Sequence, residues 1–220
     1  MLLLGIDTSA AVSACVHDGE RVLAHETAYD PRRHAELLAP MVTEVLARAV
    51  VDRSQLTGIA VGAGPGPFTG LRVGLVTART LGLVLGVDVH GVCSLDALAA
   101  EALERDPGML GEGFVVATDA RRREVYWARY DSGGARVDGP HVGPAADVAR
   151  DGLPAVGRGA VAYREALPGP DGPLDAGAGH VAALVARGLA GGPVELLAPE
   201  PLYLRRPDAA PPGARKPVLR

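Results

Sequence analysis

The segment Gly62-Ala63-Gly64-Pro65-Gly66-Pro67-Phe68-Thr69-Gly70-Leu71-Arg72-Val73-Gly74 constrains the fold more than any other. An apolar, strand-like run from Leu56 to Val61 precedes it, and a long apolar, helix-like run from Leu71 to Leu85 follows. Strand, glycine loop and helix in that order is where α/β proteins hold an anion or a nucleotide phosphate. The loop has neither the Gly-Lys-Ser/Thr of a P-loop nor the Rossmann glycine spacing. Pro65 and Pro67 remove two N–H donors from the stretch that would cradle a phosphate, while Gly64, Gly66, Phe68, Thr69 and Gly70 keep theirs. Two readings therefore stand together, an anion site and a tight strand-to-helix turn.

The helix beyond the loop carries Gly70, Gly74, Ala78 and Gly82 at every fourth position, a single small-residue stripe. An interior glycine costs about 1 kcal/mol relative to alanine. Close approach of another helix is one return for that cost. Leu71, Val73, Leu75, Val76, Leu81, Leu83, Val84 and Leu85 cover most of the remaining surface. A helix apolar nearly all round is buried nearly all round. One face packs on this chain's sheet; the other needs a neighbouring helix, from this chain or from a partner. Packing against the first helix alone is the competing reading. The run from Val73 to Val89 raises the question of a membrane span, against which Arg79 and the glycines argue.

The 220 residues are 48% apolar and 22% charged, as in ordinary soluble domains. Leu2 to Ile6 reads as a buried strand ending at Asp7-Thr8-Ser9; Asp7 interrupts the run too early for a signal peptide. Ala11 to His17 and Glu20 to Thr27 form a hairpin across Asp18-Gly19. Asp30-Pro31 opens a helix whose Leu38, Met41, Val42, Val45, Leu46 and Ala49 share one face. Pro40 predicts that this helix bends or begins late. After the glycine loop and its helix, Val87 to Val92 is a strand and Ser94 caps a third helix, Leu95 to Arg105. Past a Gly/Pro-rich boundary the pattern restarts: a strand from Phe114, Asp119 at its end, a turn, and a returning strand from Glu124 to Tyr130. Two related subdomains are expected, residues 1–108 and 109–206, the second degenerate with one clear helix, Ala178 to Leu189. A Pro-rich, disordered tail is expected over 207–220.

Asp7, Thr8, Ser9, Gly64, Gly66, Thr69 and Asp119 are the candidate nucleotide or anion contacts, with turn and cap chemistry as the alternative. The six histidines show no metal-ligand spacing, and no nucleophile–base pairing can be argued, so neither catalytic nor metal residues are assigned. Arg121, Arg122 and Arg123 form a basic turn, either a solvated face or a phosphate contact. Cys15 and Cys93 make no framework and point to a reducing cytoplasm. A net charge of −4 disfavours a protein that grips nucleic acid alone.

Leu4-Gly5-Ile6-Asp7-Thr8-Ser9, Arg33-His34-Ala35-Glu36-Leu37-Leu38-Ala39-Pro40, Gly64 to Gly74, Asp119-Ala120-Arg121-Arg122-Arg123-Glu124-Val125-Tyr126 and Pro201-Leu202-Tyr203-Leu204-Arg205 together resemble the TsaB (YeaZ) family of tRNA threonylcarbamoyladenosine biosynthesis. The resemblance spans nearly the whole chain. It implies an α/β, actin/Hsp70-like (ASKHA, ribonuclease H-like) fold of two related subdomains. It implies a non-catalytic subunit that forms a heterodimer with TsaD, joins the ATPase TsaE, pairs with itself when TsaD is absent, and meets tRNA only through the complex. The metal-binding His-x-x-x-His of the related TsaD falls near Ser94 and Leu98, and Leu98 cannot bind a metal. No firmly bound cofactor is expected; ATP or ADP with Mg²⁺ is expected, if anywhere, at the interface of the complex. The expected partner face is Leu38, Met41, Val45, Gly70, Gly74, Ala78 and Gly82, with no membrane contact. The rival reading is an actin-like ATP-binding phosphotransferase or hydrolase using Asp7, Thr8 and Asp119 in its own cleft.

Overall fold

A computed structural model of the chain describes residues 1–30, 33–106, 108, 111–148 and 152–205. The expected disordered tail lies outside them. β1 (Leu3–Asp7) is the centre of the first sheet. It pairs antiparallel with β2 (Val12–His17), which pairs antiparallel with β3 (Val22–Ala28). On its other side β1 runs parallel to β4 (Gly58–Gly62), and β4 to β5 (Asp88–Val92), giving the order β3-β2-β1-β4-β5.

The strands of this sheet read as continuous apolar runs because both faces are covered. Leu4, Ile6, Val12, Val16, Ile59 and Val61 face α1 (His34–Ala49) and α2 (Phe68–Leu85). Leu3, Cys15 and Ala60 face α6 (Ala178–Leu189) through Val181, Ala182 and Val185. Burial pushes the Cys15 thiol up to about 12, and Cys93 likewise, so both are packing residues. α1 starts at His34 and runs through Pro40, so it does not begin late. Pro40 and Glu36 both lie on the exposed face, where the carbonyl freed by proline is open to water.

The restart at the second half is a second sheet. β6 (Gly113–Asp119) pairs antiparallel with β7 (Glu124–Asp131), β7 antiparallel with β8 (Arg136–Pro144), and β6 parallel with the two-residue β9 (Ala155–Val156). Among the described residues the order β8-β7-β6-β9 repeats β3-β2-β1-β4 without a fifth strand. This is the actin/Hsp70-like α/β fold, its second half reduced. Among the described residues the short α4 (Ala145–Val148) stands where the first half has the sixteen-residue α1, with α5 (Arg158–Ala162) after β9. α3 (Ser94–Arg105) packs Leu95, Leu98 and Ala102 against Phe114, Val116 and Tyr130 of the second sheet. α6, expected with the second half, crosses back to cover the first sheet.

The segment after α6 straps the two halves together. Leu197 exchanges hydrogen bonds with Gly91 of β5, and the Leu202 N–H donates to the Ala63 carbonyl. Tyr203 stacks on Phe68, and Arg205 donates to the Ala120 carbonyl and pairs with Glu124.

Candidate functional site: the end of β1 and the cleft beside it

Asp7 is fully buried at the end of β1. Its Oδ1 accepts from the Ser9 N–H at 2.8 Å and the Ser9 hydroxyl at 2.6 Å. Its Oδ2 accepts from the Ser94 hydroxyl at 2.6 Å. Ser94 Oγ in turn accepts from the Gly64 N–H at 3.1 Å. Ser94 is thus the first residue of α3, not a cap, because its hydroxyl turns inward to the carboxylate. Ser9 and Ser94 account for both oxygens, and Gly62 closes the remaining side. A Cβ on Gly62 would lie 1.8 Å from Oδ2.

The glycine loop is closed in the same way. Residues 62–66 are all buried. A Cβ on Gly66 would stand 2.5 Å from the Ser9 carbonyl oxygen. The Gly64 N–H, one of the donors an anion would need, is taken by Ser94. Asp7, Gly64 and Gly66 are therefore not open to a nucleotide or anion. The donor set does not fit a Mg²⁺–nucleotide either, since a metal would have to displace three hydrogen bonds to a sealed carboxylate.

Thr8 explains the small-residue stripe. Its hydroxyl donates to the Gly70 carbonyl at 2.8 Å and accepts from the Gly74 N–H at 3.0 Å. It sits beside one i, i+4 pair of the α2 ladder, a place a side chain reaches only where the helix surface is bare. A Cβ at Gly74 would be 2.4 Å from Thr8 Oγ1, and one at Gly82 would be 2.4 Å from Val89 Cγ2. The stripe lets the end of β1 and β5 approach. Leu38, Met41, Val45 and Ala78 are likewise buried in the chain's own core. The expected partner face is thus internal. The outward side of α2 carries instead Val76, Leu83 and Val84, which are 60%, 85% and 73% exposed. α2 is long and apolar enough to cross a membrane by length and composition, but its small side is packed on the sheet.

Burial holds the Asp7 carboxyl above the usual range, against the pull of the hydrogen bonds from Ser9 and Ser94. The folded chain thus holds this proton more tightly than the unfolded one. Stability falls as pH rises from the ordinary carboxylate value through the raised one, and is level beyond it. Asp96, raised by burial beside Tyr130 and Arg136, contributes with the same sign. Asp7→Asn is expected to flatten part of that slope, measured as urea midpoints between about pH 4 and about pH 8. An unaltered slope would show that Asp7 is not among the groups responsible.

Asp119 and Thr69 lie elsewhere. Together with Ser9, Tyr29, His34, Arg121 and Arg158 they line a cleft of about 290 Å³ between the two sheets. Asp119 accepts from the Arg121 N–H at 2.8 Å, and Arg158 pairs with Asp175 and lies over the Tyr29 ring. Asp7 does not reach this cleft, so the two aspartates do not converge. At the positions of the relative's metal ligands, Ser94 is committed to Asp7 and Leu98 is in the core. Among the described residues no group of three or more His, Cys, Asp or Glu could hold a metal ion.

Comparison with known proteins follows the same lines. Residues 21–163 match the family model described as TsaD, tRNA N6-adenosine threonylcarbamoyltransferase. The solved YeaZ of Pseudomonas aeruginosa is 31% identical, with a TM-score of 0.73, over 92% of this chain and 99% of that one. The chain belongs to the TsaB/YeaZ family. An uncharacterized protein of Mycobacterium tuberculosis is 45% identical over 95% of this chain and 94% of its own length. The Haemophilus influenzae protein named tRNA threonylcarbamoyladenosine biosynthesis protein TsaB is 36% identical over 59% of this chain and 53% of its own. These relatives support a role in tRNA threonylcarbamoyladenosine biosynthesis.

Proposed function

We propose that this chain is the non-catalytic subunit of the complex that transfers a threonylcarbamoyl group to the adenosine beside the anticodon in tRNAs reading codons that start with A. The observation that carries the reading is the sealed Asp7. The carboxylate that an actin-like cleft would need for nucleotide chemistry is here a structural acceptor for Ser9 and Ser94. With that carboxylate sealed, the chain acts through a partner.

The partner is TsaD, with the ATPase TsaE completing the assembly in the cytoplasm. The TsaD model matches across α1 and α2, so the two proteins share this helical layer, and related layers can pair face to face. The exposed Val76, Leu83 and Val84 supply the apolar surface for that contact, and in the absence of TsaD for self-pairing. Any ATP or ADP would sit at the interface and not within this chain.

Reconstitution with and without this chain tests the proposal. The modified nucleoside is expected to form only when the chain is present. Calorimetric titration of the isolated chain with ATP and Mg²⁺ is expected to give no tight binding and no turnover. Turnover by the isolated chain would establish the rival phosphotransferase or hydrolase.

A further inference from the structure

Three segments that lie far apart in the sequence, and that the sealed β1 site does not use, meet on one face. Phe68 and Arg72 come from the first turns of α2, Arg121 to Arg123 from the turn between β6 and β7, and Tyr203 from the strap. The Phe68 and Tyr203 rings stack with centroids 5.0 Å apart and planes at 22°. The Arg72 guanidinium lies 3.9 Å from the Phe68 ring centroid, and its Nε donates to the Tyr203 hydroxyl at 3.0 Å. Arg205 fixes the other side by donating to Ala120 and pairing with Glu124. A cavity of about 290 Å³, lined by Phe68, Arg121, Tyr203 and Arg205, opens between these parts.

The basic turn has an unusual backbone. Arg121, Arg122 and Arg123 have φ of 61°, 56° and 63°, three successive side-chain-bearing residues in the left-handed region. Glycine or asparagine would adopt that turn more easily. Arginine there holds three exposed cations on one short loop. Charge is only partly cancelled. Arg121 lies 3.6 Å from Asp119, and Arg122 is engaged within the chain. Among the described residues no carboxylate lies within ion-pair distance of Arg72 or Arg123.

We propose that this face is an RNA contact, with phosphates held by Arg121 and Arg123 and an unpaired base or ribose set against the Phe68–Tyr203–Arg72 shelf. The inference rests on the reading of the chain as part of a tRNA-modifying complex. An aromatic shelf with a stacked guanidinium, beside exposed arginines, is the combination that single-stranded RNA uses. An acidic protein would be drawn by the arginines but gains nothing particular from a pre-stacked shelf. The chain's net charge of −4 confines the attraction to this patch, so the contact works when the complex presents the RNA.

The test uses the reconstituted complex and a transcribed tRNA of the class read by codons that start with A, with binding followed by anisotropy across a salt series. The variants are the double change Arg121→Asn with Arg123→Asn, which the left-handed turn accommodates, and the double change to Lys, which keeps the charge. The Asn pair is expected to raise Kd at least about fivefold and to make the slope of log K against log salt shallower by about 1 to 2, while the Lys pair keeps the wild-type slope. An unchanged Kd and slope in the Asn pair, with the complex intact, would overturn the RNA contact and leave the proposed function standing. Loss of assembly by the Asn pair would make the patch a protein contact and overturn it as well. Modification that proceeds without this chain would overturn the functional reading and, with it, this one.

Discussion

Gly62→Ala is expected to destabilise the chain by about 3–5 kcal/mol, the range reached when overpacking also disturbs a buried charged group. The added Cβ would lie 1.8 Å from Asp7 Oδ2 and 2.7 Å from Ser94 Oγ. Neither atom can move freely. Oδ2 holds the Ser94 hydroxyl, and Ser94 Oγ holds the Gly64 N–H, so a shift in one strips the other of a partner. A buried carboxylate that loses a donor carries its charge with less compensation. For a chain of this size the loss corresponds to a melting temperature lower by about 10 °C. Thermal unfolding followed by circular dichroism measures it, with Gly86→Ala as the comparison. Gly86 sits at φ 68° with open space where a Cβ would go, so alanine there meets backbone strain alone and is expected to lose about 1 kcal/mol. A Gly62→Ala loss no larger than that would mean the Asp7 enclosure is looser than its geometry indicates.

The same glycines show what a sequence carries and what it withholds. Four-residue spacing established that Gly70, Gly74, Ala78 and Gly82 share one face of a helix, and they do. Periodicity says nothing of what lies opposite. The opposing groups are Thr8, just past the end of β1, and Val89 of β5, placed by strands whose registers are set by pairing elsewhere in the sheet. Asp7 presented the same problem. Its place at a strand end was legible, whereas its enclosure depends on Ser94, 87 positions away. The restart at Phe114 was legible because strand, aspartate, turn and returning strand recur within a short window. The return of α6 to the first sheet was not, since an amphipathic helix fits either sheet equally well. β8, β9 and the short α4 and α5 lie in Gly- and Pro-rich sequence with little alternation to mark them. Tyr203 was visible as part of a motif, but its stacking on Phe68 is a tertiary contact that no local pattern announces.

The internal stripe changes which substitution reports on partner binding. Ala78 has no exposed surface, so Ala78→Arg forces a charge into the core and unfolds the chain whatever its partners. Leu83 and Val84 are exposed on the outward side of α2, where surface changes usually stay within about 0.5 kcal/mol. The double change Leu83→Glu with Val84→Glu should therefore leave the circular dichroism spectrum and melting temperature of the isolated chain unchanged. In the complex it would place two carboxylates in an apolar contact. Desolvating such a pair at the centre of an interface costs on the order of 3 kcal/mol or more. The expected result is a loss of TsaD affinity of at least about a hundredfold, seen as failure to co-purify. Self-association should be lost in parallel, with the isolated chain eluting as a monomer, because both pairings would use one apolar surface. Co-purification at wild-type yield by a folded variant would place the TsaD contact on another face of the chain. A variant that lost self-pairing but kept TsaD would show that the two contacts are separate surfaces.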